Sequence, residues 1–215
     1  MLTEDYITRI IQQAVAALAE AIGLRESGRF EEALQVVQAG LEGFFGIPAR
    51  LLYQMDTSST LDILTSEGEV DLARVSVAAS LFSEAGTLYD HLRQQENADT
   101  SYLRALELNL EQAFDDIDTV NEDVNKDISD QYDYLRGRLS LETCNGCFYY
   151  FQTKGQIHRA LSALDEYLLL TNADPEVVKE ACDFYRSLLN EPDTVLKQSG
   201  FSHQLIKDRI EQISC

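Results

Sequence analysis

Near the start of the chain apolar residues recur every three or four positions, at Ile7, Ile10, Ile11, Ala14, Leu18, Ala21 and Ile22. At 3.6 residues per turn these share one face, so the pattern predicts an amphipathic helix. Thr3, Glu4 and Asp5 supply its start signal, an acceptor for free amides with acids at the positive end of the helix dipole. Ser27-Gly28 supplies its stop, because glycine reaches the left-handed conformation without a Cβ clash. A second helix is expected over 30–45, ending at Gly46-Ile47-Pro48, and the two should form an antiparallel hairpin. The signal then weakens to two short candidates, about 50–55 and 58–64, with caps from Thr57, Ser58 and Ser59.

Long helices are expected again over 72–94 and 98–117, the latter burying Tyr102, Ala105, Leu106, Leu110, Ala113, Phe114 and Ile117. A further helix over 120–141 carries Val120, Val124, Ile128, Tyr132, Leu135 and Leu139 on one face and acids on the others. A shorter one reaches Thr153 and is broken by Gly155; another covers 157–170. Asn172-Ala173-Asp174-Pro175 reads as a stop followed by a start, since proline is tolerated at a first helical position. Helices over 176–189 and 201–213 complete the chain, and no strand is expected.

Three helix pairs share an internal signature. The clearest is Phe82, Ala85, Gly86 and Tyr89 followed by Ala98, Tyr102 and Ala105, which resembles the tetratricopeptide repeat: small residues at a helix crossing, aromatics one turn away. It departs from that pattern where Leu110 replaces the helix-ending proline. Gly28-Arg29-Phe30-Glu31-Glu32-Ala33-Leu34, with Ala17, Ala21, Leu24 and Gly40, is a weaker copy. Gly155-Gln156-Ile157-His158-Arg159-Ala160-Leu161, preceded by Cys147, Phe148 and Phe151, is another, with Tyr167 in place of a small residue. Ala33, Ala98 and Ala160 are 65 and 62 residues apart, so extra helices must be interposed. The expected fold is therefore all-α, an irregular tetratricopeptide-like stack of antiparallel helix pairs (an α-solenoid or superhelix) in one domain, 1–215. The opening Thr3-Glu4-Asp5-Tyr6-Ile7, the Gly-x-Phe-x-x-Ala-Leu turn and Glu84-Ala85-Gly86 together resemble a Gram-positive bacterial family of tetratricopeptide-like proteins of unassigned function. That resemblance implies the fold and no activity.

Composition agrees with such a fold. Of 215 residues 45% are hydrophobic and 25% charged, enough for a core without metal, while 3 prolines and 11 glycines argue against a turn-rich sandwich or barrel. Net charge is −20, with ten acids against Lys126 alone between Glu107 and Asp133. Phosphate backbones and anionic lipid bind through lysine and arginine, so nucleic acid and membrane are not expected partners. A protein or peptide is the expected partner, and the negative face would steer a basic one and reject acidic ones. Acids at the N-terminus do not resemble a secretory leader, and Glu20 interrupts the run from Ala14 to Ala19, so no membrane span is expected. A cytoplasmic location follows, where Cys144, Cys147, Cys182 and Cys215 should be thiols.

Cys144-Asn145-Gly146-Cys147 is the one segment that could carry chemistry, as half a zinc site or a redox pair. Zinc needs two more ligands, with Cys182 and His158 as candidates, and redox pairs favour strand-to-helix turns, so structural thiols are the expectation. His91, His158 and His203 are far apart and none follows glutamate by three residues, which excludes the ligand motifs of di-iron bundles and zinc peptidases. Asp115, Asp116, Asp118, Glu122 and Asp123 miss the calcium-loop spacing. No phosphate loop, nucleophile elbow or dinucleotide fingerprint occurs. The reading is of a protein- or peptide-interaction module with no catalytic, cofactor-binding or metal residue, not an enzyme. Ile206, Ile210 and Ile213 could make the last helix a cap or a homodimer surface. The alternative is a ligand-sensing or zinc/thiol-dependent protein using Cys144 and Cys147.

Overall fold

The computed structural model describes residues 2–66, 68–115, 117 and 121–213. It is all-α apart from one minimal hairpin, and divides into two compact units, Met1–Arg136 and Gly137–Cys215.

The first unit opens with α1 (Leu2–Glu26) and α2 (Phe30–Phe45), paired as the apolar periodicity predicts. Between them Gly28 sits at φ +76°, and Gly155 takes the same role at φ +66° between two later helices. Both positions need a left-handed backbone, which is why the turn motif repeats in sequence. The weak region holds α3 (Ala49–Leu52) and α4 (Thr57–Leu64), then strands β1 (Thr65–Ser66) and β2 (Glu69–Val70), antiparallel with Thr65 opposite Val70. These strands correct the strand-free expectation. The cap of α4 is Asp56, whose carboxylate accepts the Ser59 amide at 2.7 Å, and not the threonine and serines that follow it.

Helices α5 (Leu72–His91) and α6 (Gln95–Asp115) form the second pair, and α7 (Glu122–Leu135) packs on α6. The α5–α6 crossing is tight: a Cβ on Gly86 would lie 2.8 Å from the Tyr102 ring, whose hydroxyl donates to Thr87 at 3.1 Å. At Gly40 an added Cβ would stand 3.1 Å from that of Ala17, so α1 and α2 also meet through small residues. The core around them includes Ala21, Ala33, Val37, Leu81, Phe82 and Ala85, all fully buried.

Two charged anchors join these elements. Arg25 Nε lies 2.7 Å from the Glu84 carboxylate, tying α1 to α5, and only 8% of the Glu84 side chain is exposed. Buried Arg104 donates to the Thr57 hydroxyl and the Met55 carbonyl and pairs with Glu107, which pins the irregular segment to α6. Burial pulls the Arg104 guanidinium below its ordinary pKa, opposed by Glu107.

The second unit comprises α8 (Leu141–Thr153), α9 (Ile157–Leu170), α10 (Pro175–Leu188), α11 (Asp193–Gln198) and α12 (His203–Gln212). Helix α8 pairs with α9, and α12 packs on α10 through fully buried Ile206, leaving Ile210 and Ile213 half-buried. Pro175 occupies the first turn of α10 behind the Asp174 cap, as expected.

Some expectations need correction. Phe114 is 46% exposed, because the last turn of α6 lacks a neighbour on that side among the described residues. Helix α7 stops at Leu135, where the chain turns through Arg136 and Gly137, and Leu139 is buried from outside any helix. Asp116, Asp118, Val120 and Cys215, together with the side chains of Thr3 and Glu4, lie outside the described residues. One stretch, Asp5–Glu26, is long and apolar enough by composition to cross a membrane, at a mean hydropathy of 1.3. Its alanines and isoleucines outweigh its five charged residues, Asp5, Arg9, Glu20, Arg25 and Glu26, which corrects the expectation that no such stretch exists.

Gly86→Ala should destabilise the first unit by about 1–3 kcal/mol through overpacking against Tyr102. Gly43→Ala, in open space on α2, should be neutral or stabilising by about 0.5–1 kcal/mol. Urea unfolding of the two variants checks the contrast; equal effects would mean that the crossing is loose.

Candidate binding groove

Helix α10 segregates its residues with a three–four spacing. Val177, Ala181, Phe184, Tyr185 and Leu188 are buried, whereas on an adjoining stripe Glu176, Asp183 and Ser187 are exposed and Glu180 is half-buried. On α8 the run Phe148-Tyr149-Tyr150-Phe151 buries three rings and leaves Tyr149 43% exposed. The two helices meet through side chains. Phe148 and Phe184 stack edge to face at 5.3 Å between centroids, and the Tyr149 hydroxyl donates to the Glu180 carboxylate.

Beside these contacts lies an open cavity of about 540 Å³, floored by Phe148 and Phe184 and walled by Tyr149, Glu176, Glu180 and Asp183. Lys179 is the one cation on its lining, against three acids. Asp183 also pairs with Arg186 at 3.2 Å, but both side chains are more than half exposed, so the pair contributes little. The hydrogen bond to Glu180 pushes the Tyr149 phenol up to about 12. The site thus offers carboxylates next to an aromatic face, the surroundings that suit an ammonium or guanidinium group. Another cavity, of about 350 Å³ between α1 and α2, is lined by Ala14, Ala17, Ala39, Gly40 and Gly43 with Gln13, Glu20 and Phe44, one carboxylate where the α8–α10 groove has three.

The residues singled out in sequence do not converge here. Cys144 and Cys147 are thiols with no exposed surface, on the inner side of α8. Cys144 Sγ donates to Glu166 at 3.8 Å, and Glu166 also accepts the Gly137 amide at 3.1 Å. Burial first, then the Glu166 charge, pushes the Cys144 thiol up to about 12, opposite to what a nucleophile or zinc ligand requires. Cys182 is disulfide-bonded, which corrects the expectation of thiols throughout.

The histidines take separate partners: His91 stacks on Phe30, His158 approaches Phe201, and His203 meets Asp193 at 2.5 Å. Among the described residues no group of three or more His, Cys, Asp or Glu could hold a metal ion. Glu122 and Asp123 lie in the first turn of α7 behind the Asn121 cap. Farther along, burial and then the charges of Asp130 and Asp123 raise the Asp127 carboxyl.

The groove residues Tyr149, Glu176, Glu180, Asp183 and Phe184 were not legible as a site. Two signals carry them: acids spaced four and three apart beside an apolar stripe, and four consecutive aromatics that no single helix face can hide.

The chain belongs to a family of unknown function (DUF6483), whose model matches residues 1–215. No curated protein and no solved structure matches it.

Native Cys144 and Cys147 should resist iodoacetamide at pH 8 and react only on unfolding, which mass spectrometry of the labelled protein would detect; rapid native labelling would contradict the burial. Because the fold raises the Cys144 pKa above its ordinary 9.0, its contribution to stability is complete below that pH and is lost as pH rises towards about 12. Buried Tyr150 and Tyr185, raised from 10.0 to about 12 chiefly by desolvation, act with the same sign. Urea midpoints should therefore fall progressively between these limits, and a flat profile would contradict the assignment.

Proposed function

We propose that this member of a family without an assigned activity is a protein- or peptide-interaction module, built from tetratricopeptide-like helix pairs, that binds a basic segment of its partner without catalysis. The observation that carries the reading is the α8–α10 groove, where three acids face one lysine beside an exposed tyrosine. A net charge of −20 supports it, since long-range attraction would concentrate cationic partners and turn away anionic ones. The tetratricopeptide-like element is supported by the close crossings at Gly40 and Gly86 and by the shared backbone at Gly28 and Gly155. The thiol- or zinc-dependent alternative draws no support from two buried sulfurs, one of them with a raised pKa.

Fluorescence anisotropy with a labelled Lys/Arg-rich peptide and its Glu-substituted counterpart tests the proposal. The basic peptide should bind, roughly tenfold more weakly when ionic strength rises from about 0.05 to about 0.5 M, and the acidic one should not. Equal affinity for both, or no binding of either at low salt, would overturn it.

A further inference from the structure

The acidic cavity does not end at Phe184. A second cavity of about 290 Å³ shares Gln152, Phe184 and Ser187 with it and continues along α8 and α10. Its far walls are Phe151, Ile157, Leu188 and Val195, the first three buried side chains that nevertheless line open space. The combined groove is graded, with Glu176, Glu180 and Asp183 at one end and mainly hydrocarbon side chains, beside exposed Glu191, at the other. From Glu180 to Leu188 the rise along α10 is about 12 Å, which an extended peptide spans in roughly four residues.

We infer that the occupant is an extended peptide segment carrying an arginine or lysine and, about four residues away, a large apolar side chain. The inference rests on the interaction-module reading and names the chemistry of the partner. The cation lies against the Tyr149 ring and the three carboxylates, where charge complementarity favours it. The apolar side chain enters the second compartment and displaces water from Val195 and the exposed edges of Ile157 and Leu188. A purely cationic segment leaves that compartment wet, and a purely apolar one leaves the carboxylates without a counter-charge. Ser187, exposed at the junction, is the gatepost between the two halves.

The test uses the full chain and four labelled peptides of equal charge, carrying Arg and Leu four residues apart, Arg and Leu adjacent, Arg with Leu→Ser, and the first sequence scrambled. The first should bind best, and Leu→Ser should weaken it about tenfold or more, the effect of burying one leucine side chain. Ser187→Arg should abolish the preference for leucine while leaving the melting temperature unchanged, because the residue is exposed. A photoreactive phenylalanine at the leucine position should crosslink to Phe151, Leu188 or Val195.

Equal binding of all four peptides, with crosslinks scattered elsewhere, would overturn the two-compartment inference and leave a charge-driven interaction module standing. No binding of any peptide would overturn both. Concentration-dependent dimerisation that excludes peptide would give the groove to a second copy of the chain and likewise overturn the inference.

Discussion

A helix turns about 100° per residue, so four consecutive aromatics cover roughly 300° of its circumference and cannot all face one core. Helix α8 meets this constraint at Phe148-Tyr149-Tyr150-Phe151 by hiding three rings and leaving Tyr149 outward. Everything at the groove depends on that outcome. The outward ring carries a hydroxyl that reaches Glu180, while the inward Phe148 packs on Phe184 and sets where α10 runs. Side chains, not closely apposed backbones, join α8 to α10, and the space left beside those side chains is the groove.

The first unit solves its packing differently. Small residues at Ala17, Gly40 and Gly86 let helices approach closely, until at Gly86 ring and backbone touch and dispersion contacts are dense. Its charged groups act as fasteners: Glu84 with Arg25, and Arg104 with Thr57, Met55 and Glu107. Removing one partner of such a set leaves a buried charge uncompensated, which costs more than the pair contributes. Buried charge in the first unit therefore speaks for architecture, whereas the acids along α10 line an open groove.

Much of the fold was legible because its signals are local. Periodicity gave the long helices, and Gly28 and Gly155 marked the same turn twice. Pro175 marked a helix start, and Gly86 marked a close crossing. What escaped depends on residues distant in sequence. Arg104 and Glu84 are buried against partners 47 and 59 residues away. Helix α11 is too short for its period to register, and the exposure of Phe114 is something periodicity cannot report. The groove escaped for the same reason, since Tyr149 and Glu180 are 31 residues apart and each alone reads as an ordinary surface residue. The cysteine pair, the most conspicuous motif in sequence, lies buried and away from the groove.

Amide chemical-shift mapping of the full chain, titrated with a basic peptide at low and at high salt, tests the binding claim most directly. Shifts should concentrate on Tyr149, Gln152 and the stretch from Glu176 to Ser187, and should fade at high salt. Shifts confined to the first unit, or a spectrum that peptide leaves unchanged at low salt, would contradict it.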